Sequence, residues 1–336
     1  MKKILITFIL LVLAGCQTQE EFIPILVYFG EDAYISIFEE KLYHHGQDFR
    51  LKTYDALNSQ VIQNELIDDL LRENPPSMML VNLVDRLSAH ALIEKAKETN
   101  TKLIFFNREP LSEDMDLYEH TYYVGANAVQ SAQLQASLVM DLFGNEPDNL
   151  NAMDRNNDNV IQLLILKGQQ GHQDAEQRTK YVVDELNVHG YRVEVLDILI
   201  ANFDESQGYQ QTLQAIDKHS GNIEVIISNN DAMALGAVSA LIDKGVIVDE
   251  NQDGILDRSV EPWVPVVGID GLDKATELIE TGFMYGTVEN DADEMAKAVI
   301  TLAKYIESGR HFSSFPYVIE LERYIWIDYN KLSNNQ

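Results

Sequence analysis

The segment Val160-Ile-Gln-Leu-Leu-Ile-Leu166 has the length and the continuous apolar character of a buried β-strand. An amphipathic stretch of helical length, residues 175–188, follows it, and a second strand-length run, residues 192–198, comes next. A strand, a helix and another strand in this order are typical of a parallel sheet whose faces are covered by helices. The segment therefore predicts an α/β unit.

The same alternation extends along the chain in both directions. Further strand-length runs lie at residues 23–28, 50–54, 78–81, 103–106, 225–228, 264–269 and 285–288. Amphipathic segments between them lie at residues 34–44, 59–72, 88–99, 128–142, 205–219, 232–244, 274–281 and 292–308. A chain of 336 residues is long enough for two hydrophobic cores, so two parallel sheets fit better than one very wide sheet.

The charge of the chain is strongly negative. It contains 25 Lys and Arg residues against 54 Asp and Glu residues, which gives a net charge of −29 at pH 7. Nucleic-acid recognition needs clustered basic side chains that face the phosphates, so this composition argues against it. The single cysteine excludes disulfides within the chain, and stability must come from packing.

The N-terminus has the order of an export signal. Met1-Lys2-Lys3 precedes a short apolar stretch that ends in Leu13-Ala14-Gly15-Cys16. This ending resembles the lipobox of bacterial lipoproteins, which implies removal of residues 1–15, a lipid on Cys16 and a flexible leader over residues 16–22. We therefore expect a protein outside the cytoplasm, lipid-anchored to a membrane at the cell surface or in the periplasm. The alternative is an ordinary cleaved signal.

Polar side chains with planar hydrogen-bonding groups follow one predicted strand after another. Ligands of open parallel sheets bind beyond the carboxyl ends of strands, so these positions form the candidate site. They include Asp32, Asn107, Arg108, Glu109, His172, Asp174, Arg178, Asn229, Asn230, Asp231, Asp270, Asn290 and Asp291. Such groups match the hydroxyls of a sugar ring, and the rings of Tyr34 and Phe203 are candidates to cover its two apolar faces. For Asp231 and Asp291 we prefer helix capping.

Several longer stretches carry a family resemblance. They are Lys102-Leu-Ile-Phe-Phe-Asn107-Arg-Glu-Pro110, Tyr122-Tyr-Val-Gly125, Gly171-His-Gln-Asp-Ala-Glu-Gln-Arg178, Ser228-Asn-Asn-Asp-Ala-Met-Ala-Leu-Gly236 and Gly286-Thr-Val-Glu-Asn-Asp291. Together they make the chain similar to the periplasmic-type galactose/glucose-binding proteins, the solute receptors of sugar ABC transporters. The similarity covers nearly the whole mature chain.

The resemblance implies the type I periplasmic binding protein fold, in which two Rossmann-like, doubly wound α/β domains are joined by a three-strand hinge. We expect the chain to cross between the domains near Ala126, Asn290 and Leu321. The N-terminal lobe is then residues 23–126 plus 291–321, and the C-terminal lobe is residues 127–290 plus 322–336. The lobes are expected to close on the ligand like a hinge.

The family's sugar-binding residues carry over to matching positions of this sequence. The hydrogen-bonding set falls on Asp32, Asn107, His172, Asp174, Arg178, Asn230, Asp270 and Asn290, and the stacking rings fall on Tyr34 and Phe203. The resemblance implies that Asp32 binds the 4-hydroxyl in a way that suits both D-galactose and D-glucose. Tyr34 stands where Phe is usual and Phe203 where Trp is usual, so the ring contact with the sugar is smaller here.

The same resemblance implies which residues bind the other hydroxyls of the sugar. Asp174 and Arg178 would hold the anomeric end of the sugar, and Asn107 and His172 the 6-hydroxyl. Asn230, Asp270 and Asn290 would face the 2- and 3-hydroxyls. We expect a monomer that delivers its sugar to a membrane ABC permease, with a chemoreceptor as a further candidate partner. No Ser or Cys adjoins His172, so no reaction is expected.

A first polar loop has the spacing of an EF-hand calcium loop. Asp154, Asn156, Asp158 and Gln162 place side-chain oxygens at loop positions one, three, five and nine, and the carbonyl of Val160 serves position seven. Position twelve is Ile165, which cannot bind a cation. The resemblance assigns the closing carboxylate to Glu224. The alternative is an acidic surface loop.

A second polar loop repeats the spacing. Its side chains are Asp249, Asn251, Asp253 and Asp257, with the carbonyl of Ile255 at position seven and Gly254 at position six. Position twelve is Val260, and Glu261 comes one residue late. A second calcium ion and a solvated turn therefore both remain open.

Two other function classes compete with sugar transport. A calcium-dependent cell-surface glycosidase would need two carboxylates about 5–10 Å apart across one glycosidic bond. Asp32, Asp174 and Asp270 are the candidates, but each suits hydroxyl binding equally well, and Arg178 is expected to hold Asp174 ionised. The sugar-sensing half of a transcription repressor is disfavoured by the export signal and the absence of DNA-binding helices.

Overall fold

The computed structural model describes residues 22–219, 221–310 and 312–334. The predicted export signal and Cys16 lie outside the described residues. Two six-stranded sheets form the cores of two lobes, and the strands of each sheet, counted along the chain, lie in the order second, first, third, fourth, fifth, sixth. Both sheets therefore follow one doubly wound order, which confirms the predicted fold class. In the described part of the chain, no helix is long and apolar enough to cross a membrane.

The first sheet is parallel throughout and consists of β1 (Ile23–Val27), β2 (Leu51–Asp55), β3 (Met78–Val81), β4 (Lys102–Phe106), β5 (Thr121–Ala126) and β11 (Tyr324–Ile327). Its helices are α1 (Ala33–His45), α2 (Gln60–Arg72), α3 (Ala89–Thr99), the short α4 (Ser112–Met115) and α10 (Ala292–Ser308). Short 3₁₀ turns lie at Arg86–Ser88 and Phe312–Ser314. Helices α1 and α10 cover one face of this sheet, and α2 and α3 cover the other.

The second sheet consists of β6 (Ile161–Lys167), β7 (Val193–Ile200), β8 (Val225–Ser228), β9 (Val266–Asp270), β10 (Gly286–Glu289) and β12 (Asn330–Ser333). Only β12 runs antiparallel to its neighbour among these described strands. Helices α5 (Ala128–Leu142) and α6 (Gln173–Val188) cover one face. Helices α7 (Glu205–His219), α8 (Asp231–Asp243) and α9 (Asp273–Glu280) cover the other.

The central strands are buried on both faces, which explains their continuous apolar sequence. Every residue of β1, β3, β6 and β8 is buried. Such strands cannot alternate apolar and polar residues, because helices lie above and below them. The polar residues that bind a ligand are therefore confined to the strand ends.

The third crossing between the lobes lies further along the chain than predicted. The first two lie next to Ala126 and Asn290, since α5 packs in the second lobe and α10 in the first. The prediction of a crossing near Leu321 was wrong. Strand β11 pairs with β5, with Tyr324 opposite Tyr123, so residues 322–327 belong to the first lobe and the chain crosses at Asp328 and Tyr329.

Candidate ligand-binding site

The carboxyl ends of both sheets meet around one cavity between the lobes. Its lining residues are Tyr28, Asp32, Tyr34, Asn107, Arg108, His172, Asp174, Arg178, Phe203, Asn230, Asp270 and Asn290. The structure thus brings all ten of the sequence-predicted ligand residues together. The empty space between them is about 390 Å³ when the solvent at the open mouth of the cavity is included. Sequence reasoning missed Tyr28, and it placed Arg108 at a strand end without including it in the ligand-binding set.

In the first lobe, Asp32 forms a connected polar group with Tyr28. Asp32 caps α1, because its Oδ1 accepts the Ile35 N–H at 3.0 Å, and its Oδ2 accepts the Tyr28 hydroxyl. Burial and the neighbouring carboxylate raise the pKa of Tyr28, so its hydroxyl stays protonated. The Arg108 guanidinium stacks on the Tyr28 ring at 3.6 Å and donates to the Val84 carbonyl at 2.6 Å.

Two other first-lobe residues complete this wall. Asn107 has a φ of +62°, a left-handed conformation that asparagine tolerates, and its carbonyl accepts the Tyr123 hydroxyl at 3.0 Å. Tyr34 is buried beside Phe38, and its hydroxyl lies 3.7 Å from the sulfur of Met295. The Tyr34 ring is therefore held by packing, and the Asn107 backbone by its hydrogen bond to Tyr123.

In the second lobe, His172 caps α6. Its Nδ1 accepts the Asp174 N–H at 3.2 Å, which assigns the ring proton to Nε2 in the neutral form. Burial, together with the charges of Arg108 and Arg178, holds the pKa of His172 well below its ordinary value. The neutral ring meets Phe203 edge-on, with 5.2 Å between centroids.

Arg178 links the cavity to the hinge. It donates to the Asn229 carbonyl at 2.8 Å and to the Tyr329 hydroxyl at 2.9 Å, while its Nε has no protein partner. Burial raises the pKa of Tyr329 to about 12, so this hydroxyl remains neutral. Tyr329 had no signal in the sequence, because only the third crossing brings it here.

The charge of Asp174 is not decided by Arg178 alone. The two groups lie 3.6 Å apart, and Arg178 and Arg108 both lower the pKa of Asp174. Burial has the larger effect and raises that pKa above its ordinary value. Arg178 thus favours the ionised form, as expected, but its effect on the pKa of Asp174 is smaller than that of burial.

Asp270 and Asn290 carry polar atoms that the protein leaves without partners. Asp270 is 9% exposed, and neither of its carboxylate oxygens accepts a hydrogen bond from the described residues. Burial raises the pKa of Asp270 well above its ordinary value. The Asn290 N–H donates to the Asp270 carbonyl at 3.0 Å, whereas the buried Asn290 Oδ1 is unpaired.

Asn230, not Asp231, caps α8. The Asn230 Oδ1 accepts the Met233 N–H at 3.0 Å, and its Nδ2 donates to the Phe203 carbonyl at 3.3 Å, which leaves one amide hydrogen for a ligand. The prediction that Asp231 is a helix cap was wrong, because its carboxylate accepts hydrogen bonds from the N–H groups that follow β9 and from the Thr287 hydroxyl on β10. The Asp291 cap of α10 is confirmed by its 2.8 Å bond from the Glu294 N–H.

The cavity therefore combines free acceptors and donors with apolar rings. The acceptors are Asp270 and Asn290 Oδ1, the donors include the Nε atoms of Arg178 and Arg108, and Phe203 supplies a ring face. Among the described lining residues there is no Ser, Thr or Cys that could act as a nucleophile beside His172. Neutral molecules with several hydroxyls suit this mixture of groups.

The first polar loop lies between α5 and β6 and is closed by Glu224. One Glu224 oxygen accepts the Arg155 N–H at 2.7 Å and the other accepts the Gln162 N–H at 3.1 Å. Gln162 is 3% exposed, and its Oε1 has no protein partner. The oxygen-rich donor set and this unpaired buried oxygen fit a calcium ion.

The second polar loop, between α8 and β9, has the same internal hydrogen bonds. Glu261 takes the position of Glu224: its oxygens accept the N–H groups of Glu250 at 2.8 Å and Asp257 at 2.7 Å. In both loops, the sixth residue donates to the first carboxylate, from Asn159 to Asp154 and from Gly254 to Asp249. Across the described residues, no three His, Cys, Asp or Glu side chains form a metal cluster on their own.

Sequence comparison identifies the family. Residues 23–311 match the periplasmic binding protein domain. The chain belongs to the periplasmic binding protein family. This is a family of solute-binding proteins rather than enzymes, and membership implies a location outside the cytoplasm.

A curated relative from Haemophilus influenzae is named D-galactose/methyl-galactoside binding periplasmic protein MglB. It is 34% identical over 292 residues, which cover 86% of this chain and 82% of the relative. A putative rhizopine-binding protein of Rhizobium meliloti is 25% identical over 82% of this chain and 84% of its own length.

Solved structures share the fold. A solute-binding protein of an ABC transporter from Bacillus halodurans, with bound myo-inositol, superposes with a TM-score of 0.74 at 23% identity and covers 93% of this chain and 94% of its own. A periplasmic solute-binding protein from Actinobacillus succinogenes, with bound D-allose, reaches 0.75 at 17% identity over 94% and 98% of the two chains. At these identities the likeness supports the fold alone.

Proposed function

We propose that this periplasmic binding protein captures D-galactose or D-glucose in the cavity between its lobes and delivers the sugar to an ABC permease. The carrying observation is the convergence of ten family-matched side chains on one cavity, with the acceptors of Asp270 and Asn290 left free. The name of the Haemophilus relative supports galactose as the ligand class. Charged groups strengthen hydrogen bonds to hydroxyls to about 1.5–3 kcal/mol each.

In this proposal, different residues of the cavity bind different hydroxyls of the sugar. Asp32 receives the 4-hydroxyl, Asn107 and the Nε2–H of His172 bind the 6-hydroxyl, and Asp174 and Arg178 hold the anomeric end. Asn230, Asp270 and Asn290 bind the 2- and 3-hydroxyls. Tyr34 and Phe203 cover the ring faces, and the smaller ring at Phe203 reduces affinity without changing the class of ligand.

Calorimetry with a panel of sugars tests the proposal. The panel is galactose, glucose, methyl galactoside, ribose, allose and myo-inositol, each titrated into the same soluble chain that starts at residue 23. We expect galactose or glucose to bind at least tenfold more tightly than ribose and myo-inositol, because those two cannot satisfy the 6-hydroxyl partners. Equal or tighter binding of ribose or myo-inositol would overturn the hexose assignment, and turnover of an aryl galactoside would overturn the transport role.

We also propose which proteins bind the closed conformation. Gln173 on α6 donates to Glu109 beyond β4 across the cleft at 3.0 Å, so closure joins surfaces of both lobes. Sugar binding would stabilise this form, which then presents the joined surface to the permease and, as a further partner, to a chemoreceptor. We propose that the chain acts as a monomer; sedimentation at working concentration with and without galactose tests this.

We further propose that calcium binds the first polar loop as a structural ion. Asp154, Asn156, Asp158, Gln162 and Glu224 would supply side-chain oxygens, and Val160 its carbonyl. Metal analysis after dialysis against excess calcium is expected to find at least one ion per chain, and Glu224→Gln should remove one. The second loop, with Asp249, Asn251, Asp253, Ile255 and Asp257, stays a prediction; a second ion lost in Glu261→Gln would support it.

Lipid anchoring through Cys16 is also a proposal, since that residue lies outside the described part of the chain. The expected result is incorporation of a labelled fatty acid into the full-length protein in its host and no incorporation in Cys16→Ala. Equal labelling of both proteins would contradict the anchor.

A further inference from the structure

Asp231 is a buried carboxylate next to the cavity but not in its wall. It is 0% exposed and stands at the first position of α8, directly after the site residue Asn230. Its Oδ2 accepts the N–H groups of Gly271 at 2.8 Å and Leu272 at 2.9 Å. Its Oδ1 accepts the Thr287 hydroxyl at 2.6 Å. The Asp231 side chain thus ties α8 to the end of β9 and to β10.

The backbone that Asp231 holds is the one that presents Asp270. Asp270 has a φ of +134° and Gly271 a φ of +79°, so two consecutive residues adopt conformations that L side chains rarely take. A non-glycine residue stays in such a conformation only when surrounding bonds hold it there. Here the Asp270 carbonyl accepts the Asn290 N–H from one side, and Asp231 accepts the Gly271 N–H from the other.

The sequence also makes room for this carboxylate. A Cβ atom on Gly268 would lie 2.0 Å from the Asp231 Oδ1, closer than any two such atoms can approach. The absence of a side chain at Gly268 therefore lets the Asp231 carboxylate lie directly against β9. The space at Gly268 is an observation independent of the hydrogen bonds, and it also supports a fixed position for the Asp231 carboxylate against β9.

We propose that Asp231 is a positioning residue for sugar binding, which holds the Gly271–Leu272 turn so that the free Asp270 carboxylate faces the cavity. This inference rests on the proposed function. The charged groups that face Asp231 are Asp270 from β9 and Arg178 from α6. Arg178 offsets part of the repulsion between the two acids. Asp231 itself makes no contact with the sugar in this arrangement.

The test compares galactose affinity in Asp231→Ala, Asp231→Asn, Asp270→Asn and the double variant Asp231→Ala with Asp270→Asn. Asp231→Ala should weaken binding at least tenfold, because the turn loses its acceptor. Asp231→Asn should stay within about threefold of the wild type, since its amide oxygen still accepts both N–H groups and its NH₂ can donate to Thr287. In the Asp270→Asn background, Asp231→Ala should change affinity less than twofold.

Asp273→Ala is the matched control, because Asp273 is an exposed acid two residues beyond Gly271 on the same turn. Its affinity should equal that of the wild type. If Asp231→Ala does not fold, Thr287→Val replaces it in the cycle, since it removes one of the three donors and leaves the carboxylate in place.

Three results would overturn the positioning role. The first is unchanged affinity in folded Asp231→Ala. The second is equal weakening by Asp231→Ala with and without Asp270→Asn, and the third is an Asp231→Asn as weak as Asp231→Ala, which would assign the effect to charge. Failure of the proposed function is a separate outcome, in which the wild type itself binds no hexose.

Discussion

The two walls of the cavity differ in how many of their polar groups are already bonded within the protein. In the first lobe, both Asp32 oxygens accept protein hydrogen bonds and the Arg108 guanidinium donates to main-chain carbonyls, although its Nε is unpaired. In the second lobe, the Asp270 carboxylate has no donor from the described residues, and Asn290 Oδ1 and Arg178 Nε are unpaired. Unpaired buried groups gain most from a ligand's hydroxyls.

We infer from this contrast that the two lobes have different roles in sugar binding. The second lobe supplies the groups whose bonds are made only when a sugar is present, and the first lobe supplies a preassembled surface that closes over it. Both polar loops also belong to the second lobe. Four measurements test whether the two lobes differ in this way.

Removal of the unpaired Asp270 carboxylate should have the largest effect on galactose affinity. We expect Asp270→Ala to weaken galactose binding about a hundredfold, because a carboxylate that accepts two hydroxyls contributes about 3 kcal/mol or more. Calorimetry measures it, and a loss below threefold would contradict both the site and the comparison between the walls.

Removal of calcium should destabilise the second lobe alone. At a free calcium concentration 100 times its Kd, binding contributes about 2.7 kcal/mol, so EDTA should lower the Tm by about 5–10 °C. Hydrogen exchange should rise in β6 and β8 and stay constant in β1 and β3. Glu224→Gln is the matched variant and should no longer respond to EDTA; an unchanged melt of the wild type counts against the loop as a calcium site.

A substitution in the first wall should have a smaller effect on affinity. Asp32→Asn keeps one oxygen for the Ile35 N–H and is expected to weaken galactose binding about tenfold, since its oxygens are already shared with protein donors. If calorimetry finds the loss equal to that of Asp270→Ala, the proposed difference between the walls is wrong.

The smallest expected effect is a change of the His172 NMR resonances with pH. Because its pKa is well below the ordinary value of 6.5, the ring should stay neutral where an ordinary histidine titrates, and its NMR resonances should not shift around pH 6.5. His90 in the first lobe is the internal control: its Nδ1 donates a 2.8 Å hydrogen bond to the Asp114 carboxylate, which raises the pKa of His90. His90 should titrate above pH 6.5. A midpoint near 6.5 for His172 would show that water reaches the ring.

The strands with unbroken apolar runs could be predicted from the sequence, whereas β5, β11 and β12 were not predicted. Residues 78–81 and 225–228 match β3 and β8 because burial on both faces requires an unbroken apolar run. Strand β12, Asn330–Ser333, has partly or fully exposed residues throughout and carries no such signal. Strand β5 contains a family motif, but Gly125 and Ala126 interrupt its apolar run.

Some residues of the candidate site could also be predicted from the sequence, and others could not. Residues at strand ends such as Asp32, Asn107 and Asp270 could be placed in advance, because parallel strands bring their carboxyl ends to one edge. Arg108 stood among those positions, yet its role depends on the Tyr28 ring beneath it. The bonds of Asp231 to Gly271 and Thr287 join three elements, and no local pattern predicts them.

The order of apolar runs and polar strand ends was sufficient to predict two α/β cores with a binding site at the carboxyl ends of the strands, since both signals are local. The cleft between two closing lobes was implied by the family resemblance. The tertiary structure alone decided which sheet accepts Tyr324–Ile327, and with it the hinge position of Tyr329 against Arg178. Pairing between β5 and β11 joins residues about 200 positions apart, and such contacts depend on the whole packed chain rather than on any short stretch.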